Sequence, residues 1–144
     1  MELGGWDTHT GQMGRMGQPL SQLAEGIVRL AEALGPVWSK TVVVAASEFG
    51  RTVAVNGTQG SDHGTAGVML LAGGSVNGGK VVADWPGLAS AQLHQSRDLK
   101  PTIDQRAVFK AVLRDHLGLG LAALDGVIFP DSSPAKALAG LVRV

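Results

Sequence analysis

Two short segments of the sequence combine acidic and imidazole side chains, which can hold metal ions without thiolates. Asp7 and His9 are separated by one residue, and Asp62 and His63 are adjacent. Glu48 offers a fifth donor between these segments. Imidazole nitrogens and carboxylate oxygens are ligands for zinc, manganese or iron. The five side chains could therefore hold one or two divalent ions, provided that the three segments meet in the fold.

An arginine close to Glu48 offers a second kind of chemistry. Arg51 carries a planar guanidinium that can bind a phosphate or sulfate group through two parallel hydrogen bonds, so it is a candidate anion contact. The residue types do not identify a catalytic nucleophile. A purely structural role for all these residues is the alternative, because Asp and His near glycines are frequent in caps and turns.

Short apolar runs next to these residues predict the strands that would position them. Residues 41–46 (TVVVAA) form a continuous, β-branched run typical of a strand buried on both faces. Residues 67–72 (GVMLLA) predict a second strand, and residues 80–83 (KVVA) predict a short third one. Glu48 and Arg51 follow the first run, and ligands of parallel α/β sheets bind outside the carboxyl ends of the strands.

Helical spacing of apolar residues predicts two helices. The first covers residues 19–35 and ends at a Gly-Pro pair, and the second begins after Asp104 as N-cap and stops at Gly118. Helices that alternate with buried strands favour an α/β fold with a mainly parallel sheet flanked by helices. A length of 144 residues predicts one domain over residues 1–144.

Charge and composition exclude several classes of function. The 12 Lys and Arg residues balance the 12 Asp and Glu residues, which argues against nucleic acid or an anionic membrane as partner. The absence of Cys excludes disulfides, thiolate metal sites and a cysteine nucleophile. No apolar run reaches the roughly 18 residues of a membrane-spanning helix, so no transmembrane segment is predicted.

Three blocks of the sequence resemble the signature motifs of a known family. They are GGWDTH at residues 4–9, SEFGRT at residues 47–52 and DHG at residues 62–64. These blocks, with shorter matches along nearly the whole chain, are similar to the bacterial family called domain of unknown function 1501. The resemblance implies a relation to the alkaline phosphatase and sulfatase superfamily, and hence an alkaline-phosphatase-like α/β fold with a metal centre at the strand ends. It also implies export of the parent protein to the periplasm by a twin-arginine signal.

The same resemblance implies a function and a ligand set. We expect a metal-dependent hydrolase of phosphate or sulfate esters that acts on a small anionic ester and uses zinc or manganese. Asp7 and His9 would form the first ligand loop and His63 a late histidine ligand. Members of that superfamily are several hundred residues long and carry their nucleophile early. We therefore expect this chain to be the C-terminal part of a longer protein, with the nucleophile in the missing N-terminal part and the fragment alone inactive.

Two other interpretations remain open at this point. One is an exported binding protein that has kept the fold and lost catalysis. The other is a structural fragment that is stable only with its missing half or as a homo-oligomer, because apolar residues of the tail, such as Ile128 and Leu141, could form an interface.

Overall fold

The computed structural model describes residues 2–143 of the chain. These residues form two compact units, each assembled from three segments that alternate along the sequence. Unit 1 contains residues 2–35, 46–68 and 85–101, and unit 2 contains residues 36–45, 69–84 and 102–143. The expectation of a single domain over residues 1–144 stays a prediction.

The regular elements are mostly helical, and the strands are very short. In chain order they are α1 (Gln12–Arg15), α2 (Gly17–Leu34), a 3-10 helix (Gly35–Lys40), β1 (Val43–Ala45), β2 (Gly50–Arg51), β3 (His63–Gly64), β4 (Leu70–Ala72), a 3-10 turn (Ser90–Gln92), α3 (Gln105–Leu117), α4 (Leu121–Ala123) and a π-helical turn (Leu124–Ile128). No helix within residues 2–143 is both long enough and apolar enough to span a membrane.

The first predicted helix is confirmed, with small differences at its ends. Helix α2 covers Gly17–Leu34, compared with the predicted residues 19–35. It ends where Gly35 adopts a φ of 50°, a left-handed value that glycine tolerates better than other residues. The helix is amphipathic, yet parts of its apolar stripe remain exposed, including Leu20 and Val28.

The second predicted helix is confirmed together with both of its caps. The Asp104 carboxylate accepts a hydrogen bond of 2.8 Å from the backbone N–H of Arg106, which satisfies one of the free donors of the first turn of α3. Gly118 ends the helix in the left-handed conformation, with a φ of 71°.

The hydrophobic core of unit 2 forms around one face of α3. Val108 and Ala111 of this helix pack with Leu141 and Val142 of the tail, and all four are buried. Partly buried residues surround this cluster: Val42, Met69, Leu71, Ile103, Val112, Ala137 and Leu138. Leu141 therefore belongs to the core, whereas Ile128 is 40% exposed.

The sheets contradict the fold that the sequence predicts. Strand β1 pairs with β4, and β2 pairs with β3, and both pairs are antiparallel. The prediction of an α/β fold with a mainly parallel sheet flanked by helices is therefore wrong for residues 2–143, which contain only these two-stranded sheets. The predicted third strand at residues 80–83 is wrong as well, because these residues form no strand.

A physical reason for this error lies in the length and burial of the strands. Strand β1 has three residues that are only half-buried, so the apolar run around it is not enclosed on both faces. Val81 of the predicted third strand is 93% exposed. An apolar run identifies a segment that can form a strand, but the direction of its partner depends on contacts distant in sequence.

Candidate metal centre

The antiparallel pairing in unit 1 brings the candidate residues together. The β2–β3 register places Arg51 opposite His63 and Gly50 opposite Gly64. The segment that carries His9 is held to the loop before β3 by the Gln12 N–H, which donates to the carbonyl of Gln59 at 2.8 Å. Two segments that are more than fifty residues apart in sequence thus meet at one place.

Two glycines permit this close approach of the backbones. A Cβ atom on Gly60 would lie 2.1 Å from the carbonyl carbon of His9, and one on Gly64 would lie 2.6 Å from the carbonyl carbon of Arg51. Both distances are far shorter than a van der Waals contact. The atoms that the Cβ would meet belong to the backbone, so they cannot move aside as a flexible side chain could. Only glycine therefore fits these two positions.

Three of the five predicted ligands converge on a common point. The Asp7 Oδ1 atom lies 3.0 Å from His9 Nε2 and 2.9 Å from His63 Nε2. The two Nε2 atoms lie 3.3 Å apart. We call these three atoms the donor group. The side chains are about half exposed (55% for Asp7, 43% for His9 and 53% for His63), so the donor group is accessible from solvent.

The surroundings of Asp7 favour the ionised form of its carboxylate. The hydrogen bond from His63 is the main cause that lowers the pKa of Asp7. Desolvation, the next largest effect, opposes it, and a hydrogen bond from Arg51 and the charges of both histidines lower the pKa further. An ionised carboxylate beside two imidazoles offers three N and O ligands of the kind that transition metals bind.

Asp62 lies on the far side of the His9 ring from the donor group. Its Oδ1 atom is 3.4 Å from His9 Nδ1, and it also accepts a hydrogen bond of 3.0 Å from Asn56 Nδ2. The hydrogen bond from Asn56 is the main cause that lowers the pKa of Asp62, followed by that from His9. Asp62 is thus close to the centre but touches the nitrogen of His9 that faces away from Asp7.

An aromatic residue supports the second histidine. The rings of Phe49 and His63 are stacked, with centroids 4.3 Å apart and an interplanar angle of 30°. The guanidinium carbon of Arg51 lies 5.1 Å from the centroid of Phe49, within the range of a cation–π contact. Phe49 therefore packs against one face of the His63 ring.

Arg51 makes its hydrogen bonds to the two segments that carry the donor group. Its Nη2 atom donates to the carbonyl of Trp6 and to Asp7 Oδ1, both at 2.7 Å, and its Nη1 atom donates to the carbonyl of Ser61 at 2.9 Å. Its role as an anion contact stays a prediction.

Glu48 is exposed and is not a member of the donor group. Phe49 and Arg51 both face the centre, since they contact His63 and Asp7 respectively. Glu48 lies at a bend just before β2.

Residue types alone do not identify Asn56 and Phe49, although both contact members of the centre. An Asn-Gly pair such as Asn56-Gly57 is typical of a turn, and it does not by itself indicate a contact with a metal ligand. Its position in the sequence could have indicated the contact. Asn56 lies six residues before Asp62, close enough for its amide to fold back onto the Asp62 carboxylate.

Comparison with known proteins identifies the family. Residues 1–128 match the model of a family described as "Protein of unknown function (DUF1501)". The chain belongs to the DUF1501 family. The resemblance of the three signature blocks is thereby confirmed, and the donor group of this DUF1501 chain lies entirely within the matched residues. No curated protein and no solved structure matches the chain. The relation of DUF1501 to alkaline phosphatases and sulfatases stays a prediction.

Proposed function

We propose that this chain binds a divalent transition metal ion through Asp7 Oδ1, His9 Nε2 and His63 Nε2. The observation that carries the proposal is the spacing of these atoms, which lie 2.9 to 3.3 Å from one another. Two ligands bound to one ion at about 2.0–2.2 Å lie about 2.8 to 3.6 Å apart, from octahedral to tetrahedral geometry, so the three atoms fit a single coordination sphere.

The chemistry of the donor group narrows the choice of ion. Two imidazoles and one carboxylate suit zinc, manganese or iron, whereas calcium and magnesium prefer sites built from oxygen alone. We infer zinc or manganese as the ion. Three protein ligands leave coordination positions open, as in catalytic rather than structural zinc sites.

We further propose hydrolysis of phosphate or sulfate esters as the reaction that this centre serves. A bound ion would polarise a phosphoryl or sulfuryl oxygen and lower the pKa of a water molecule. Arg51 supports the proposal, because it has N–H groups left for an anion beyond the three hydrogen bonds that it makes to the protein. Asp7 holds this guanidinium next to the donor group.

A binding protein without catalysis is the second candidate, and the exposure of the centre favours it. The ligand side chains are about half exposed, so they exclude little water around a bound substrate. Hydrolytic sites gain much of their electrostatic effect from excluding water. Assay of the zinc- or manganese-loaded chain with an aryl phosphate and an aryl sulfate tests the hydrolase, because release of the phenol would refute the binding protein without catalysis.

Calorimetric titration with Zn²⁺ and Mn²⁺ tests metal binding itself. We expect the wild-type chain to bind, and we expect His63→Ala to weaken binding by more than about 100-fold, because loss of a direct ligand exceeds the effect of an outer-shell change. His116→Ala is the matched control, since this histidine lies in α3 outside the donor group, and it should bind as the wild type does. Equal binding by His63→Ala would refute the proposed ligand set.

A further inference from the structure

We infer that Asp62 and Asn56 are positioning residues that orient His9 so that its Nε2 atom faces the metal ion. This inference rests on the proposed metal centre and deepens it. It gives Asp62 a different role from the direct ligand that the sequence predicts, and it gives Asn56 a role beyond the turn.

The two ring nitrogens of His9 face two different carboxylates. Its Nε2 atom lies 3.0 Å from Asp7 Oδ1, within the donor group, whereas its Nδ1 atom lies 3.4 Å from Asp62 Oδ1. A histidine that binds a metal through one nitrogen carries its proton on the other, and a carboxylate at that second nitrogen fixes both the tautomer and the plane of the ring. Asp62 stands at the second nitrogen.

Asn56 holds both the histidine and the carboxylate that orients it. Its Nδ2 atom donates to Asp62 Oδ1 and to the backbone carbonyl of His9, each at 3.0 Å. One amide group therefore sets the position of Asp62 relative to the backbone of His9. A shift of Asp62 away from the ring would break the first of these two bonds.

The other end of the same amide is fixed by the loop. Asn56 Oδ1 accepts hydrogen bonds from the backbone N–H groups of Thr58 at 3.0 Å and Gly60 at 2.9 Å. These donors identify the oxygen, so the NH₂ end must face His9 and Asp62. The hydrogen bonds thus form a continuous series from the loop through Asn56 and Asp62 to the ring of His9.

Asp62→Asn is the first variant that tests the inference, because it keeps the shape of the side chain and removes its charge. We expect the affinity for Zn²⁺ in calorimetric titration to fall by about 10- to 100-fold and to remain measurable, as for other outer-shell changes. Asn56→Ser is the second variant, since a serine hydroxyl can still accept within the turn but cannot reach both partners, and it should weaken binding in the same direction. Glu25→Gln, an exposed carboxylate of α2, should bind as the wild type does.

A spectroscopic measurement distinguishes orientation from a general loss of structure. In the zinc-loaded wild type, nitrogen-15 NMR should show a His9 Nδ1 proton that is protected from exchange with water. In Asp62→Asn this proton should shift and exchange faster, while circular dichroism and the ring signals of His63 stay the same.

The outcomes separate the inference from the proposed function. If the wild type binds no Zn²⁺, the metal centre and the inference are both refuted. If the wild type binds and His63→Ala does not, but both positioning variants bind normally with an unchanged His9 proton, the inference alone is refuted. If Asp62→Asn loses binding as fully as His63→Ala, Asp62 is a direct ligand and the positioning role is wrong.

Discussion

At the scale of a single residue, Arg51 joins the two segments that carry the donor group. A guanidinium has five N–H groups, and three of them donate to the carbonyls of Trp6 and Ser61 and to Asp7. The remaining two N–H groups are not used by these contacts, so joining the ligand segments does not by itself prevent the anion binding that the sequence predicts.

The close packing of Gly60 against His9 leads to a prediction about stability. We expect Gly60→Ala to lower the free energy of unfolding by about 2 kcal/mol or more, because its Cβ would overlap the backbone of His9. Gly57→Ala in the same loop is the matched control. A Cβ at that position meets nothing within 4 Å, so the change should be within about 1 kcal/mol of neutral. Urea denaturation of both variants measures the difference, and equal effects would contradict the prediction.

At the scale of single residues, the sequence predicts which residue types could bind a metal ion. It does not predict which of them converge on one point. Asp7, His9 and His63 were predicted from their chemistry, and their atoms converge. Chemistry alone could not separate the three atoms that converge from Asp62, which contacts the other ring nitrogen of His9. That distinction depends on ring orientation, which the backbone pairing of distant segments decides.

At the scale of elements, the N-cap of α3 allows a test that combines stability with pH. We expect Asp104→Ala to lower the free energy of unfolding by about 1 kcal/mol near pH 7, because the Arg106 N–H loses its acceptor. Asp104→Asn keeps the acceptor and should change stability by only a few tenths of a kcal/mol. Thermal or urea denaturation of the three proteins measures both differences.

The pH dependence of this cap follows from the direction of its pKa shift. Hydrogen bonds from the Arg106 side chain are the main cause that lowers the pKa of Asp104 below its ordinary value of 3.8. The charged Asp104 carboxylate therefore contributes its full stabilisation at any pH above 3.8. This contribution is lost as the pH falls through the lowered pKa of Asp104. The stability difference between wild type and Asp104→Asn should be constant from pH 8 to 5 and decrease below pH 4. A difference that grows on acidification would contradict the assignment.

The elements differ in how far the sequence determines them. Helix α3 has its N-cap, periodicity and terminal glycine within fifteen residues, so local information suffices. Strand β1 finds its partner β4 nearly thirty residues further along the chain, and nothing local to residues 41–46 fixes an antiparallel direction. The predicted parallel sheet failed for this reason, whereas the predicted helices were confirmed.

At the scale of the whole molecule, the two units are stabilised by different kinds of contact. The buried hydrophobic side chains of the described residues all belong to unit 2: Val76, Ala107, Val108, Ala111, Leu124, Ala135, Leu141 and Val142. Of the buried polar residues, Thr8, Ser61 and Asp98 belong to unit 1, and Lys110 and Ser132 belong to unit 2. Unit 1 thus depends on hydrogen bonds and close backbone packing rather than on a large apolar core.

This difference predicts that a metal ion stabilises unit 1 in particular. An ion that binds only the folded state at 100 times its dissociation constant adds about 2.7 kcal/mol. We expect Zn²⁺ to slow hydrogen exchange at amides that join the ligand segments, such as Thr52 and Ser61, by more than at amides of α3. In His63→Ala, Zn²⁺ should not slow hydrogen exchange at these amides. Equal protection of wild type and variant would contradict the prediction.

Each unit is built from three segments that alternate along the chain. A truncated chain would therefore expose apolar residues of the segments that remain. A cut after residue 101 retains every segment of unit 1, but it removes α3 and the tail while leaving residues 36–45 and 69–84 behind. Val42, Met69 and Leu71 would then lose the buried partners that α3 and the tail provide. Because such apolar surface promotes self-association, a fragment made to isolate the metal centre would aggregate unless those two segments were replaced by polar linkers.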